Sequence, residues 1–151
     1  MEVVGITRSK GALCAEILAA LPDWFGSAEA NAAYVRAVEH LPVFAALENG
    51  VAQGFLALKR HTPHAFEIHV MGVRPAQHRR GAGRALVQGA AAHAGQAGAR
   101  FLTVKTLAPS HPDPAYAETR AFYEASGFLA LEEFPLLWNP ENPALMLALA
   151  L

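Results

Sequence analysis

Cysteine is nearly absent from this chain: Cys14 is the only one in 151 residues. No internal disulfide can staple the fold, which fits a reducing compartment. Charged residues are scarce as well, 17% of the total, and neither sign prevails, with 12 Lys+Arg against 13 Asp+Glu for a formal net charge of −1. Such a balance gives no general field for a polyanion, so neither nucleic acid nor an anionic membrane surface is expected as a partner. Long apolar runs are missing too: none reaches the roughly 18 residues that span a bilayer. The chain opens Met1-Glu2-Val3-Val4, with an acid where a secretory leader would be basic, and a cytoplasmic location is expected. The string G-x-x-x-x-G-K-[ST] occurs nowhere, which removes a P-loop nucleotide site.

What the chain does have is apolar content, 53%, enough to exclude disorder and to build a core. A chain of this length buries about 68–70% of its unfolded surface, so it needs no structural metal. One domain over residues 1–151 is expected. Alanine accounts for 32 residues, so elements can pack closely while core volume comes from Leu, Val, Phe and Trp.

Val3–Ile6 reads as a strand, Gly11–Leu21 as a helix stopped by Pro22-Asp23-Trp24-Phe25-Gly26, and Ser27 as the N-cap of a second helix ending before Pro42. Asn49-Gly50 between the runs Val43–Leu47 and Val51–Leu58 signals a hairpin. A loop Arg60–His64 then leads into a third strand, Phe66–Val73. Arg84–Ala97 is an alanine-rich helix, Phe101–Leu107 a strand, and Asp113 the cap of a helix to Ser126 with Pro114 at its first position. Phe128–Phe134 and Ala144–Leu149 are the last strands, joined by a loop. The apolar run Ala144–Leu151 suggests a strand buried by an oligomer partner, a homodimer. The order β-α-α-β-β-β-α-β-α-β-β describes a mixed sheet with helices on its faces.

Arginine is unevenly spread. Four of the nine, Arg74, Arg79, Arg80 and Arg84, fall within eleven residues, in Val73-Arg74-Pro75-Ala76-Gln77-His78-Arg79-Arg80-Gly81-Ala82-Gly83-Arg84 between a strand and a helix. Glycines let a backbone approach a ligand, successive N–H groups and a helix N-terminus favour an anion, and arginines add charge-assisted contacts. The dinucleotide fingerprint does not fit, because Leu86 stands where its third small residue belongs and no acid lies near residues 101–105. The string resembles instead the acyl-CoA loop of the GNAT superfamily of N-acetyltransferases, [QR]-x-x-G-x-[GA] after a strand ending V-x-P, with His78 where Gln or Arg is usual. Phe122-Tyr123-Glu124-Ala125-Ser126-Gly127-Phe128 resembles that family's second motif, [FL]-Y-x-x-x-G-F, and the likeness spans nearly the whole chain.

The resemblance implies an α+β fold with a mostly antiparallel sheet of six to seven strands and about four helices, the fourth and fifth strands splaying apart. It also implies acetyl-CoA as co-substrate. Met71, Gly72 and Val73 would present backbone groups to the pantetheine arm, and Arg79, Arg80, Gly81, Ala82, Gly83 and Arg84 would hold the pyrophosphate. The implied activity is acetyl transfer to a primary amine, of a small molecule or a peptide, by direct attack. A non-catalytic acyl-CoA sensor of the same fold is the alternative.

Direct transfer needs a neutral amine, its alignment with the thioester, a stabilised oxyanion and a proton for the leaving thiolate. Tyr123 is the candidate acid. Tyr116, seven residues earlier on the same helical face, stands where the family often has Asn and is a candidate cofactor contact. Glu67 is the first candidate base, with His69 and water as alternatives, because Glu67, His69, Met71 and Val73 alternate onto one strand face. Trp24 and Phe25, and Trp138 near Glu141, are the candidate acceptor walls. Lys105 is an alternative sign of an acidic group on the acceptor. His61 and His64 have no ligand-bearing neighbour, so a solvated loop and no metal are expected, and Cys14 among apolar neighbours reads as packing.

Overall fold

Asn49 and Gly50 both take positive φ, 52° and 77°, which lets a two-residue turn follow the twist of its strands. They join β2 (Val43–Glu48) to β3 (Val51–Thr62) in the computed structural model, which describes residues 1–151. β1 (Glu2–Ile6) lies along β2, β4 (Ala65–Val73) along β3, β5 (Phe101–Leu107) beside β4, and β7 (Asn142–Ala150) between β5 and β6 (Leu129–Asn139). The order is β1-β2-β3-β4-β5-β7-β6, with β4–β5 the one parallel pair. This is the mixed sheet expected from the element order, mostly antiparallel as the resemblance implies.

Four helices complete it: α1 (Lys10–Ala19), α2 (Ala28–Val38), α3 (Ala82–Gln96) and α4 (Pro114–Ala125). Ser27 caps α2 by accepting from the Ala30 N–H, and Asp113 caps α4 by accepting from Ala115 and Tyr116. The sheet separates two cores. On one face Ala82, Leu86, Val87, Ala90 and Ala94 of α3, with Tyr123 of α4, bury Leu56, Leu58, Ile68, Leu102 and Val104. The alanines let α3 lie close to the strands. On the other face Cys14, Ile17 and Leu18 of α1 pack with Phe55, Ala57 and Val70. Cys14 is fully buried, and burial pushes its thiol up to about 11, so it packs as a small apolar group. No helix is long and apolar enough to cross a membrane.

Several boundaries differ from the sequence expectation. Arg60–Thr62 continue β3 instead of forming a loop, and β6 runs past Phe134 to Asn139, because cross-strand pairing extends both hairpins. α3 starts at Ala82, two residues early. The apolar C-terminal run needs no oligomer partner: β7 is an interior strand, bonded on both edges within its own sheet.

One irregularity positions everything that follows. Ala57 opposes Val70 while Leu58 opposes Ile68, so His69 is an extra residue in β4. A bulge of this kind reverses the in–out alternation beyond it. Phe66 and Ile68 face α3, and after the bulge Met71 and Val73 face α3 as well. Glu67 therefore points to the opposite face from Met71 and Val73, and the uniform alternation expected from sequence does not hold.

Candidate functional site

β4 and β5 pair only from Ala65 to Ile68, opposite Phe101 to Val104. From His69 onward the two strands separate, so the β4 edge at Met71, Gly72 and Val73 has no strand beside it. Bulge and separation begin at the same residue. On the β5 side of the gap, Thr106 is buried and its hydroxyl has no hydrogen-bond partner. The Val73 carbonyl is not free, since His78 Nε2 bonds to it at 2.7 Å. That contact gives His78 its own role, turned back under the loop and edge-on to Trp24 with ring centroids 5.5 Å apart.

The loop after β4 becomes a row of open donors. A short 3₁₀ turn, Pro75–Gln77, is followed by Arg79 at φ 63° and Gly81 at φ 92°. Alternating left- and right-handed residues turn successive N–H groups into one concavity. The N–H groups of Arg79, Gly81, Ala82, Gly83 and Arg84 bond to no backbone carbonyl, and the last three open α3. A Cβ at Gly81 would meet nothing within 4 Å, so the concavity opens to solvent there. At Gly83 a Cβ would sit 3.1 Å from the Phe122 ring, and the missing side chain lets α4 approach the start of α3. Arg79, Arg80 and Arg84 are exposed and form no ion pair. Arg74 does not join them: it pairs with Glu16 at 3.2 Å and donates to the Ala52 carbonyl. Three arginines of the sequence cluster thus stand at the site. Arg84 also lines a cleft of about 310 Å³ with Gln88, Ser126 and Leu149.

The donor set fits a diphosphate: unbonded N–H groups, a helix N-terminus and free guanidinium groups converge, with an orphaned hydroxyl in the gap alongside.

Tyr123 has 5% of its surface exposed, its ring packed against Phe122 and Phe128 at centroid distances of 5.3 and 5.4 Å. Its hydroxyl has no partner in the chain and is not sealed from solvent. Burial raises its pKa above that of free tyrosine, so it holds its proton at neutral pH. Tyr116 is committed elsewhere: its hydroxyl donates to the Trp24 carbonyl at 2.5 Å, and burial pushes it up to about 12. Trp24 Nε1 donates to the Ala115 carbonyl and to Thr119 Oγ1, each at 3.0 Å. The segment after α1 is thereby clasped to α4, a link that sequence spacing could not show across some ninety positions. Phe25 packs edge-on to Tyr34. Trp138 stands apart on β6, 47% exposed.

Glu67 is buried, with one carboxylate oxygen 2.7 Å from Lys105 Nζ and the other 2.7 Å from His61 Nε2. Burial alone would raise its pKa, but the hydrogen bonds and charges of Lys105 and His61 outweigh it and hold the carboxyl below its ordinary range. His61 is thus drawn out of the expected solvated loop, and Lys105 turns inward to a carboxylate of the chain itself. A signal existed: Glu67 and Lys105 are lone opposite charges inside apolar strands. His69 is half-buried against Tyr34, centroids 5.7 Å apart, and neither ring nitrogen is an enclosed, unpartnered atom. Burial lowers its pKa, partly opposed by the charge of Glu67. His69 is neutral at pH 7.

Comparison with known proteins adds to this geometry. Residues 14–128 match the model of the acetyltransferase (GNAT) family. No curated protein sequence matches. Solved structures do: a protein of the GNAT family from Desulfovibrio desulfuricans is 18% identical with a TM-score of 0.85, covering 99% of this chain and 98% of that one. An aminoglycoside 6'-N-acetyltransferase complexed with coenzyme A is 16% identical with a TM-score of 0.75, covering 99% and 97%. The ribosomal-protein-S18-alanine N-acetyltransferase from Escherichia coli is 17% identical with a TM-score of 0.75, covering 99% and 92%. At these identities the likenesses show the fold.

Proposed function

The chain belongs to the acetyltransferase (GNAT) family, and on that premise we propose that it transfers an acetyl group from acetyl-CoA to a primary amine by direct attack, with Tyr123 as the acid and His69 as the base. The observation that carries the reading is the gap opening at His69 beside the unbonded N–H groups of Arg79–Arg84.

Bound acetyl-CoA supplies the acetyl group as an activated thioester. The N–H groups of Arg79, Gly81, Ala82, Gly83 and Arg84 and the guanidinium groups of Arg79, Arg80 and Arg84 bind the pyrophosphate, and the cleft beside Arg84 takes the nucleoside. The free β4 edge at Met71 and Gly72 bonds to the pantetheine amides, as a strand would. Tyr123, protonated and unpartnered, gives its proton to the departing sulfur. Glu67 is a poor proton acceptor, because Lys105 and His61 occupy both its oxygens. It instead acts by charge, favouring the imidazolium that forms when His69 takes the amine proton. Phe25 and Tyr34 form one wall of the acceptor mouth and Trp138 the other, while Trp24 and Tyr116 hold the mouth in place through α4. The free Tyr123 hydroxyl favours turnover over the sensor alternative. The neighbours that act on an aminoglycoside and on a ribosomal-protein alanine suggest that the acceptor is a small-molecule or a peptide amine.

Two measurements test this. In calorimetry the chain should bind CoA, and Gly81→Glu, which puts a carboxylate into the donor concavity, should abolish binding; unchanged affinity would sink the loop assignment. A thiol-release assay over a panel of amines, peptides included, should show acceptor-dependent turnover. Release no faster with any amine than without one would leave the sensor reading.

A further inference from the structure

Apart from Tyr123 and Cys14, the buried polar side chains are Glu67, Gln77 and Thr106. Glu67 has both carboxylate oxygens bonded, and the Gln77 amide donates to Glu48 at 2.8 Å. Thr106, 4% exposed, makes no side-chain hydrogen bond at all. An enclosed hydroxyl without a partner costs stability, whereas valine has the same branched shape and suits a strand as well. Leu102 and Val104, on the same face of β5, are apolar and buried. The Thr106 hydroxyl therefore calls for a reason outside the fold.

Its position supplies one. Thr106 lies two residues past Val104, the last residue of β5 paired with β4, so it borders the gap. Leu145 opposite it and Val104 before it belong to the same core as Tyr123, and Met71 of β4 packs against that core. Arg120, about one helical turn before Tyr123, donates to the Leu107 carbonyl and fixes α4 against this end of β5. The hydroxyls of Thr106 and Tyr123 thus lie on one side of the sheet, and they bond neither to each other nor to another group of the chain.

We infer that the Thr106 hydroxyl donates a hydrogen bond to the sulfur that leaves in acetyl transfer, alongside the proton given by Tyr123. The inference rests on the acetyl transfer proposed above. As the amine nitrogen bonds to the acetyl carbon, the C–S bond breaks and its electron pair goes to sulfur. The Tyr123 proton follows, His69 takes the amine proton, and Thr106 keeps its own. A thiolate among apolar side chains needs more than one donor, and a hydrogen bond to a charged acceptor is about twice as strong as one between neutral groups. The pantetheine amides have the β4 edge at Met71 and Gly72, so the sulfur is the group left short.

Thr106→Val tests this because it keeps the shape and removes the hydroxyl. In the ligand-free chain its Tm should rise by about 2–4 °C, since an unpartnered buried group is gone. A fall would show that the hydroxyl is already satisfied within the fold, and would overturn the inference. In the thiol-release assay kcat should drop about tenfold, the worth of one charge-assisted bond, with the KM for acetyl-CoA unchanged, and Thr106→Ser should restore most of it. Parent-like turnover in Thr106→Val, or no recovery with serine, sinks the inference and leaves acetyl transfer standing. A parent without amine-dependent release ends both. Calorimetry at about pH 9, above the ordinary thiol pKa of about 8.5, gives a readout without turnover. Thr106→Val should weaken CoA binding about three- to tenfold and leave desulfo-CoA, which has hydrogen in place of the thiol, unchanged. Equal weakening of both puts the hydroxyl on the pantetheine arm and refutes the contact to sulfur.

Discussion

Replacing Tyr123 by Phe separates the chemistry of its hydroxyl from the packing of its ring. The ring is 5% exposed and wedged between Phe122 and Phe128, so truncation to alanine would cost about 3–5 kcal/mol and confound any activity measurement. Phe keeps the ring. The hydroxyl bonds to no group of the chain, so its removal breaks no internal hydrogen bond, and stability should change by less than about 1 kcal/mol. In a chain of this length that is about 2–4 °C in Tm. General acid catalysis contributes typically 10²- to 10⁴-fold. A thiolate is a fair leaving group, so a fall in kcat of about tenfold to a hundredfold is expected, or about 1.4–2.7 kcal/mol of barrier. Affinity for CoA should not change. The assay is thiol release at saturating acceptor, with a thermal melt and a CoA titration on the same preparation. Full turnover in Tyr123→Phe would refute the acid role. A Tm drop well beyond 4 °C would instead make the hydroxyl a structural group and refute its reading as unpartnered.

The remaining expectations concern the other groups around the gap. Burial lowers the His69 pKa below 6.5, so the neutral, proton-accepting form prevails above that region and kcat/KM should rise with pH through a limb lying below 6.5. His69→Gln should flatten the limb and lower turnover about a hundredfold; an unchanged limb assigns it to another group. Glu67 is held below its ordinary carboxyl range by Lys105 and His61, so it contributes stability above pH 4.5 that is lost as pH falls through the lowered value. Glu67→Gln should therefore destabilise by about 1–3 kcal/mol at pH 7, a difference that shrinks in denaturant melts under acid, and equal penalties at both pH values would deny the ion pairs. Trp24→Phe removes the one indole N–H that is shared between the Ala115 carbonyl and Thr119 Oγ1. A loss of about 1–2 kcal/mol is expected, with faster amide exchange in the first turns of α4, and unchanged protection there would show that the clasp is idle.

The sheet and both motif segments are legible in the sequence because each has a local physical signature. Asn49-Gly50 demands two positive φ values, Asp113-Pro114 marks a helix start, and Gly81-Ala82-Gly83 marks close backbone approach. What escaped it is set by distance along the chain. The bulge at His69 depends on how Leu58 and Ala57 register against β4, and nothing in the strand's own residues announces it. Uniform alternation would put Glu67 on one face with Met71, and the bulge prevents it. The partners of Glu67 lie six residues before it and 38 after it, and those of Trp24 more than ninety away. Arg74 counted with its neighbours by proximity in sequence, yet the chain turns at Pro75 and leaves it facing Glu16.

The gap itself calls for a cause, since parallel strands left to themselves would continue to pair. Had β4 and β5 stayed together to Val73 and Leu107, three or four more backbone hydrogen bonds would form, each worth about 1 kcal/mol. The extra residue at His69 starts the separation by rotating the β4 edge out of register. Side-chain contacts then fix where α4 and the end of β5 stand relative to the segment after α1. Arg120 donates to the Leu107 carbonyl at 2.7 Å, Tyr116 to the Trp24 carbonyl, and the Trp24 indole N–H is shared between two acceptors of α4. None of the three side chains has to touch the reacting atoms for its loss to affect the site. Tyr116, Trp24 and Arg120 tie α4 to the segment after α1 and to the end of β5, while the β4 edge beyond Ile68 stays unpaired.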